Sequence, residues 1–302
     1  MAGFISEFFG YRPEDRSAVA LDAAAKGYCP FLDSKCAKIL SRDGAVAGVC
    51  AIRQKTAGSP SVICCPNRLY ADSYKVLETI ASIAFGRNLS LYPGRAAIEN
   101  AGKNGRAVAV FGQGWGGELR LPQRGGAGSY FVDWVLALLS DAGELSEFTA
   151  VEVQTIDTTG NYRTAREKLL SNREIVADTV GFNWENVSKR IIPQIIYKGQ
   201  VLQREELCRA GLFLVCPRPI YGRVLKRLGG KDRIPKFPMQ PASVNFIAYD
   251  YGEVANADGA PRPLAVAESH CTTVYKIQEA FSAMSLPEGN VYRDAIVRSL
   301  YG

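Results

Sequence analysis

Two stretches decide the fold, YFVDWVLALL at residues 130–139 and TAVEVQTID at residues 149–157. Both have the apolar, β-branched and aromatic character of buried strands, and an acidic loop separates them, so they are predicted to lie side by side in one sheet. Along the second, strand alternation sends Glu152 and Gln154 to one face while Val151 and Val153 take the other. An aspartate on the neighbouring strand, Asp133, can then meet the polar pair. Two carboxylates, Asp133 and Glu152, with the main-chain carbonyl of Val153 form a donor set suited to a hard, octahedral Mg²⁺, which keeps water positions for a nucleophile and a phosphate oxygen. Such a site makes hydrolysis of a phosphodiester feasible at neutral pH. Gln154, an uncharged amide, cannot be a conventional general base and is expected to orient water or contact the phosphate.

Working outward, a strand-like segment from Glu118 to Leu121 precedes these two and suggests a three-strand meander. Upstream, Val76, Leu77, Ile80, Ile83 and Ala84 form one apolar helical face, with Asp72 or Ser73 as the cap and Gly86 as the stop. Downstream, a helical stretch from Asn161 to Ala177 is followed by a second from Trp184 to Tyr197 that Pro193 interrupts, the apolar strand GLFLVCP, and a basic helix from Ile220 to Leu228. The strand SVNFIAYDY and two helices, Val274 to Met284 and Val291 to Leu300, complete an α/β domain. Gly112, Gly114 and Gly117 satisfy the G-x-G-x-x-G spacing of a dinucleotide site after the strand-like VAVF. That reading requires a helix to open there, and ELRLP alternates like a strand instead, so a dinucleotide-dependent oxidoreductase is disfavoured.

At 302 residues, 47% hydrophobic and 22% charged, the chain can bury one large domain or a small domain fused to a larger one. No apolar run reaches the ~18 residues needed to span a bilayer, and MAGFISEFFGYRPEDR lacks the features of a secretory leader, so a cytoplasmic protein is expected. In a reducing compartment eight cysteines are better explained as metal ligands or buried thiols than as disulfides. Five of them fall within residues 29–65, between Pro and Gly punctuation, which reads as a small irregular module where metal substitutes for a core. Cys29, Cys36 and Cys50, with Cys64 or Cys65, give four thiolates suited to zinc or iron. Cys208, Cys216 and Cys271 read as small buried hydrophobes. The one histidine, His270, excludes H-E-x-x-H sites and reads as structural or surface. Net charge is +6, and residues 161–236 hold 16 Lys/Arg against 7 Asp/Glu, a basic surplus immediately after the acidic strands.

Read together, FISEFFGYR near the start, CPF at Cys29, GVC at Cys50, CPNR at Cys65, GGEL at Glu118, VDWVLA at Asp133, VEVQTIDTTGNYRTA around Glu152, NVSKR at Lys189 and APRPLA near the end resemble the NotI-like (NotI/EagI) type II restriction endonucleases. The resemblance implies an α/β fold with a PD-(D/E)xK core, a mixed central sheet flanked by helices, in the variant with Gln in place of Lys. It also implies a small N-terminal module, residues 1–70, whose Cys29, Cys36, Cys50 and Cys65 hold one iron or zinc, ahead of a catalytic and DNA-recognition domain over residues 71–302. The implied catalytic set is Asp133, Glu152 and Gln154 with Glu118 added from GGEL; the family's proline before the aspartate is replaced by Val132. The implied activity is Mg²⁺-dependent cutting of double-stranded DNA by a homodimer at a GGCC-centred palindrome, with CGGCCG as a six-base candidate. A prokaryotic host would then carry a cognate DNA methyltransferase. Arg163, Arg166, Lys189 and Arg190 are candidate DNA contacts, since arginine reads guanine O6 and N7 bidentately. The alternative is a non-catalytic, metal-containing DNA-binding protein on the same scaffold.

Overall fold

The computed structural model describes residues 2–40, 44–119, 131–252, 257–283 and 289–301. Near the N-terminus, β1 (Gly3–Phe8) pairs antiparallel with β2 (Val49–Gln54), and β2 pairs antiparallel with β3 (Ser61–Ile63). Part of the cysteine-bearing stretch is therefore regular strand, which corrects the expectation of an irregular module. Its strand character was hidden because Val49, Cys50, Ala51 and Ile52 are all buried, giving a short continuous run without the alternation that marks a half-buried strand.

Helices α1 (Ala18–Lys26) and α2 (Ala71–Phe85) precede the main sheet. That sheet has seven strands: β4 (Ser90–Pro93), β5 (Ala107–Gly112), β6 (Trp134–Leu139), β7 (Leu145–Val153), β8 (Leu212–Pro217), β9 (Ser243–Tyr251) and β10 (Leu264–Thr273). They lie side by side in chain order. The pairs β4/β5, β7/β8 and β8/β9 are parallel, and β5/β6, β6/β7 and β9/β10 are antiparallel. Parallel neighbours need a crossover rather than a hairpin. The chain supplies it with α3 (Ala96–Asn104), with α4 (Arg163–Asn172) and α5 (Ile192–Leu202), and with α6 (Arg218–Arg227). Two further helices, α7 (Val274–Ser282) and α8 (Val291–Tyr301), follow β10.

Alternate residues of the central strands feed two cores. Ala150, Leu212, Leu214, Val244 and Phe246 pack with Ile192 and Ile195 of α5, in a cluster that also takes in Ile5, Phe8 and Phe9 from the N-terminal sheet. Val151, Val153, Phe213, Val215 and Ile247 pack on the opposite face with Val76, Leu77 and Ile80 of α2. Burial on both faces explains why β8 reads LFLVCP with no polar member.

Several expectations shift in detail. The meander is β5–β6–β7, so its first member is AVAVFG and not the segment from Glu118: Glu118 and Leu119 belong to no strand, while Arg120 and Leu121 lie outside the described residues. The helix expected to reach Ala177 ends at Asn172, because Arg173 takes a left-handed conformation at φ 57°. Pro193 does not break its helix: a π-helical turn, Val187–Ile191, passes directly into α5, and Pro193 sits at that junction, where the widened turn meets the α-helix. Asp72 and Ser73 do not cap α2, since both, with Tyr74, have positive φ at its entry. The glycine motif opens no helix; after β5 the chain turns back on itself through a Gly112–Trp115 bridge. Strand β10, LAVAESHCTT, was not foreseen at all. Met284 lies outside the described residues. Among the described residues no helix is long and apolar enough to cross a membrane.

Candidate active site

The two acids meet because of how β6 is entered. Trp134, 2% exposed, locks the first residue of β6 into the core, its Nε1 donating to the Tyr70 hydroxyl at 3.1 Å. Gly112 makes room for that indole, since a Cβ there would stand 2.2 Å from Trp134 Cε3 and 2.7 Å from the Asp133 carbonyl. With Trp134 opposite Val151, Asp133 falls beside the end of β7, and its Oδ2 accepts the Val153 N–H at 2.7 Å. Glu152, 5% exposed and opposite Leu214 of β8, shares the α5 face with Ala150. Its Oε1 accepts from Gln154 Nε2 at 3.1 Å and lies 2.6 Å from Lys198 Nζ, whereas Oε2 is buried without a hydrogen-bond partner.

Burial pushes the Asp133 carboxyl up, against the Val153 N–H and the Lys198 charge, which pull it down. Burial also pushes Glu152 up, the nearby Asp133 charge adds to this, and Lys198 and Gln154 oppose it. A buried carboxylate, Glu152, raised in part by the neighbouring Asp133 charge and left with one orphaned oxygen, favours added positive charge beside Asp133, which is itself exposed at the cleft. A divalent cation fits that donor set: Mg²⁺ is held by one or two carboxylates and otherwise by water or phosphate.

Asp133 and Gln154 open onto a cleft of about 1020 Å³. Glu118 lines the same cleft but is exposed, so the structure brings it near the acids without placing it among them. Of the four basic candidates, Arg190 lines the cleft, paired with Asp157 at 3.2 Å. Arg166 instead spends its Nε on the Val46 and Ala47 carbonyls at 2.9 and 3.3 Å, fastening α4 to the cysteine-bearing stretch. Lys189 is exposed and pairs with Glu185 one turn earlier. Arg163 begins α4 and is not among the residues that line the cleft.

Lys38, Cys64 and Cys65 line the same cleft. Cys29, Cys36 and Cys50 pack in one small cluster with Phe31, while Cys64 joins the large core and offers its thiol to the Val49 and Cys50 carbonyls. Cys65 feels the charge of Cys36 and is felt by Cys50; burial pushes its thiol up to about 12 and drives Cys50 well above the ordinary thiol range. Four thiols in one patch suit a soft divalent ion chemically, yet among the described residues no three or more His, Cys, Asp or Glu side chains are arranged as a metal cage. A buried network fastens this region to the sheet. Arg68 Nε donates to Glu7 Oε1 and Oε2 at 2.8 and 2.9 Å, its other arm donates to the Arg262 carbonyl, and the Tyr251 hydroxyl donates to Glu7 at 3.1 Å.

Sequence reasoning missed Lys198, Tyr70 and Lys38. Lys198 had a signal: it sits three residues after Ile195 on the edge of the apolar face of α5, where a lysine needs a partner. Tyr70 and Lys38 had none, because only the tertiary fold brings them to the cleft. In comparisons with known proteins, the family model for the restriction endonuclease NotI matches residues 15–211. No curated protein matches the chain.

Proposed function

This chain belongs to the NotI restriction endonuclease family, and from that membership we propose that it is a type II enzyme hydrolysing phosphodiester bonds in double-stranded DNA with Mg²⁺ at Asp133, Glu152 and the Val153 carbonyl, on a PD-(D/E)xK-like core. One observation carries the residue assignment: the Asp133 carboxylate hooks the Val153 N–H while the adjoining Glu152 keeps a buried oxygen free. When bound, the cation supplies Lewis-acid polarisation of the phosphate and activation of water. The chain's own groups do the rest. Gln154, tethered to Glu152, presents an amide to water or phosphate; Arg190 and Glu118 flank the cleft through which the backbone would run.

The target is a GGCC-centred palindrome, CGGCCG in its six-base form, read by a homodimer whose two sites cut one strand each. Cys29, Cys36, Cys50 and Cys65 hold one iron or zinc per chain and so stiffen the part of the cleft that Cys65 lines. Digestion of sequenced plasmid or phage DNA, followed by end sequencing, tests the reading. Discrete fragments are expected with Mg²⁺ and none with EDTA, and Asp133→Ala should bind the same site in Ca²⁺ without cutting. Random degradation, or cutting by the alanine variant, would refute it. Elemental analysis tests the thiol set, with about one tightly bound transition metal per chain expected.

A further inference from the structure

The Glu-x-Gln strand carries no cation, yet one stands in the site. Lys198 reaches it from α5, which Ile192, Ile195 and Leu202 anchor in the core against the face of β7 that carries Glu152. Its Nζ lies 2.6 Å from Glu152 Oε1, with side chains only 15% and 6% exposed, so this is not a solvent-screened surface pair. Gln154 approaches the same oxygen from the strand at 3.1 Å. Two donors therefore grip the carboxylate at Oε1, and Oε2 is left buried and unclaimed.

We infer that Lys198 is a positioning residue for DNA cleavage, fixing Glu152 through Oε1 so that Oε2 remains for the divalent cation, and supplying from a helix the permanent positive charge that the Glu-x-Gln strand lacks. The inference rests on the nuclease reading above. A carboxylate held in place before the reaction by an ammonium from the scaffold is preorganisation, which acts on rate more than on binding. Arginine can restore a charge and donors to Glu152; methionine keeps the stem and gives up both.

The test compares full-length wild type, Lys198→Met and Lys198→Arg. Single-turnover cleavage of a fragment carrying one mapped site is measured at saturating Mg²⁺, beside binding of the same fragment in Ca²⁺. Lys198→Met should cut about 10²-fold more slowly with Kd within about threefold of wild type, and Lys198→Arg should recover roughly tenfold of that loss. Should the methionine form fail to unfold cooperatively, Lys198→Gln is measured in its place against the same expectations. Cleavage by the methionine or glutamine form within about threefold of wild type overturns the inference. So does an arginine form no faster than that neutral form, or a loss of binding that matches the loss of rate. Asp133→Ala, assayed alongside, separates the two levels: if it cuts like wild type the nuclease site itself is wrong, whereas an inactive Asp133→Ala beside an active Lys198→Met refutes Lys198 alone.

Discussion

Replacing Arg68 by methionine would isolate the most deeply buried charge pair among the described residues. Arg68 and Glu7 are 0% and 1% exposed, and one guanidinium nitrogen of Arg68 reaches both oxygens of Glu7. Methionine keeps much of the apolar stem but deletes the guanidinium that lies over Phe31 and with it the charge, leaving Glu7 the Tyr251 hydroxyl at 3.1 Å and the more distant Arg262 charge. Breaking a buried pair from one side costs about 3 to 5 kcal/mol, because the surviving charge stays desolvated and unpaired. A chain of 302 residues unfolds with an entropy of about 0.6 kcal/mol/K at ~2.1 cal/mol/K per residue, so Tm should fall by roughly 5 to 8 °C at neutral pH. The loss also has a sign in pH. Burial pushes Glu7 above the ordinary carboxylate range, and the Arg68 charge is the chief influence holding it down, so Arg68→Met raises it further. A folded value above the unfolded one means stability that is fully present below the unfolded value and lost as pH rises through the folded value. The deficit of the variant should therefore shrink on acidification, and Glu7→Gln/Arg68→Met should regain most of it at neutral pH. Calorimetric melts of the three proteins from acidic to neutral pH measure this. A Tm within about 2 °C of wild type, or a deficit unchanged with pH, would refute the account of Glu7 as a charge held chiefly by Arg68.

Asp133→Asn keeps an oxygen for the Val153 N–H but removes the proposed ligand and a charge, so cleavage should fall by about 10³-fold or more while the metal-free protein melts higher at alkaline pH. The sign follows from Asp133 and Glu152 both being raised by burial and Glu152 also by Asp133: their contribution is lost as pH rises through the raised values, and the amide abolishes part of that loss. A lower alkaline Tm for the variant would count against it. His270 is 3% exposed with Nδ1 2.8 Å from the Tyr221 hydroxyl, and burial holds its pKa below 6.5; its stabilisation is therefore present above that value and lost as pH falls below it, so His270→Gln should flatten the acid limb of the Tm profile, as melts in an acid series would show. Gly112→Ala should cost about 1 to 3 kcal/mol by overpacking and slow cleavage as well, since the added Cβ meets Trp134 and the Asp133 carbonyl; unchanged Tm and rate would show that this turn does not hold the aspartate.

How far the sequence could be read depended on where its information was local. Alternation and β-branched runs placed β6, β7, β8 and β9, and alternation alone put Glu152 and Gln154 on one face. The same logic failed for β10, where Leu264 to Thr273 mixes exposed and buried positions without regular period, because it pairs at one edge of the sheet. It failed for β2 because continuous burial erases alternation. The cleft was legible from one side only. Asp133 and Glu152 could be brought together from strand period, but their cation could not, since Lys198 is 46 residues from Glu152 in the chain and only the packing of α5 on β7 decides that its ammonium points there. Charge clustering was a blunter guide: of four basic candidates drawn from one basic stretch, Arg166 spends its side chain on main-chain carbonyls, and Arg190 is the one that lines the cleft.

The span matched by the family model and the unit that builds the site are not the same. The match runs to Gly211, one residue before β8 begins. Yet β7 is held on one side by β6 and on the other by β8, with Glu152 opposite Leu214 and the Gln154 N–H donating to the Val215 carbonyl at 2.8 Å. The strand bearing Glu152 is thus an interior strand only because of residues beyond the match. The buried network repeats the pattern, for Arg68 lies inside the matched span while Glu7 and Arg262 lie on either side of it. Residues that touch chemistry can be recognised by a family pattern; those that exclude water from the acids, and so raise them toward needing a cation, are set by packing, which many sequences can satisfy in different ways. Strand β8, beyond the match, and helix α5, within it, are what bury Glu152, and in the proposed site it is that burial, more than the identity of the acid, which leaves a carboxylate oxygen in need of a cation.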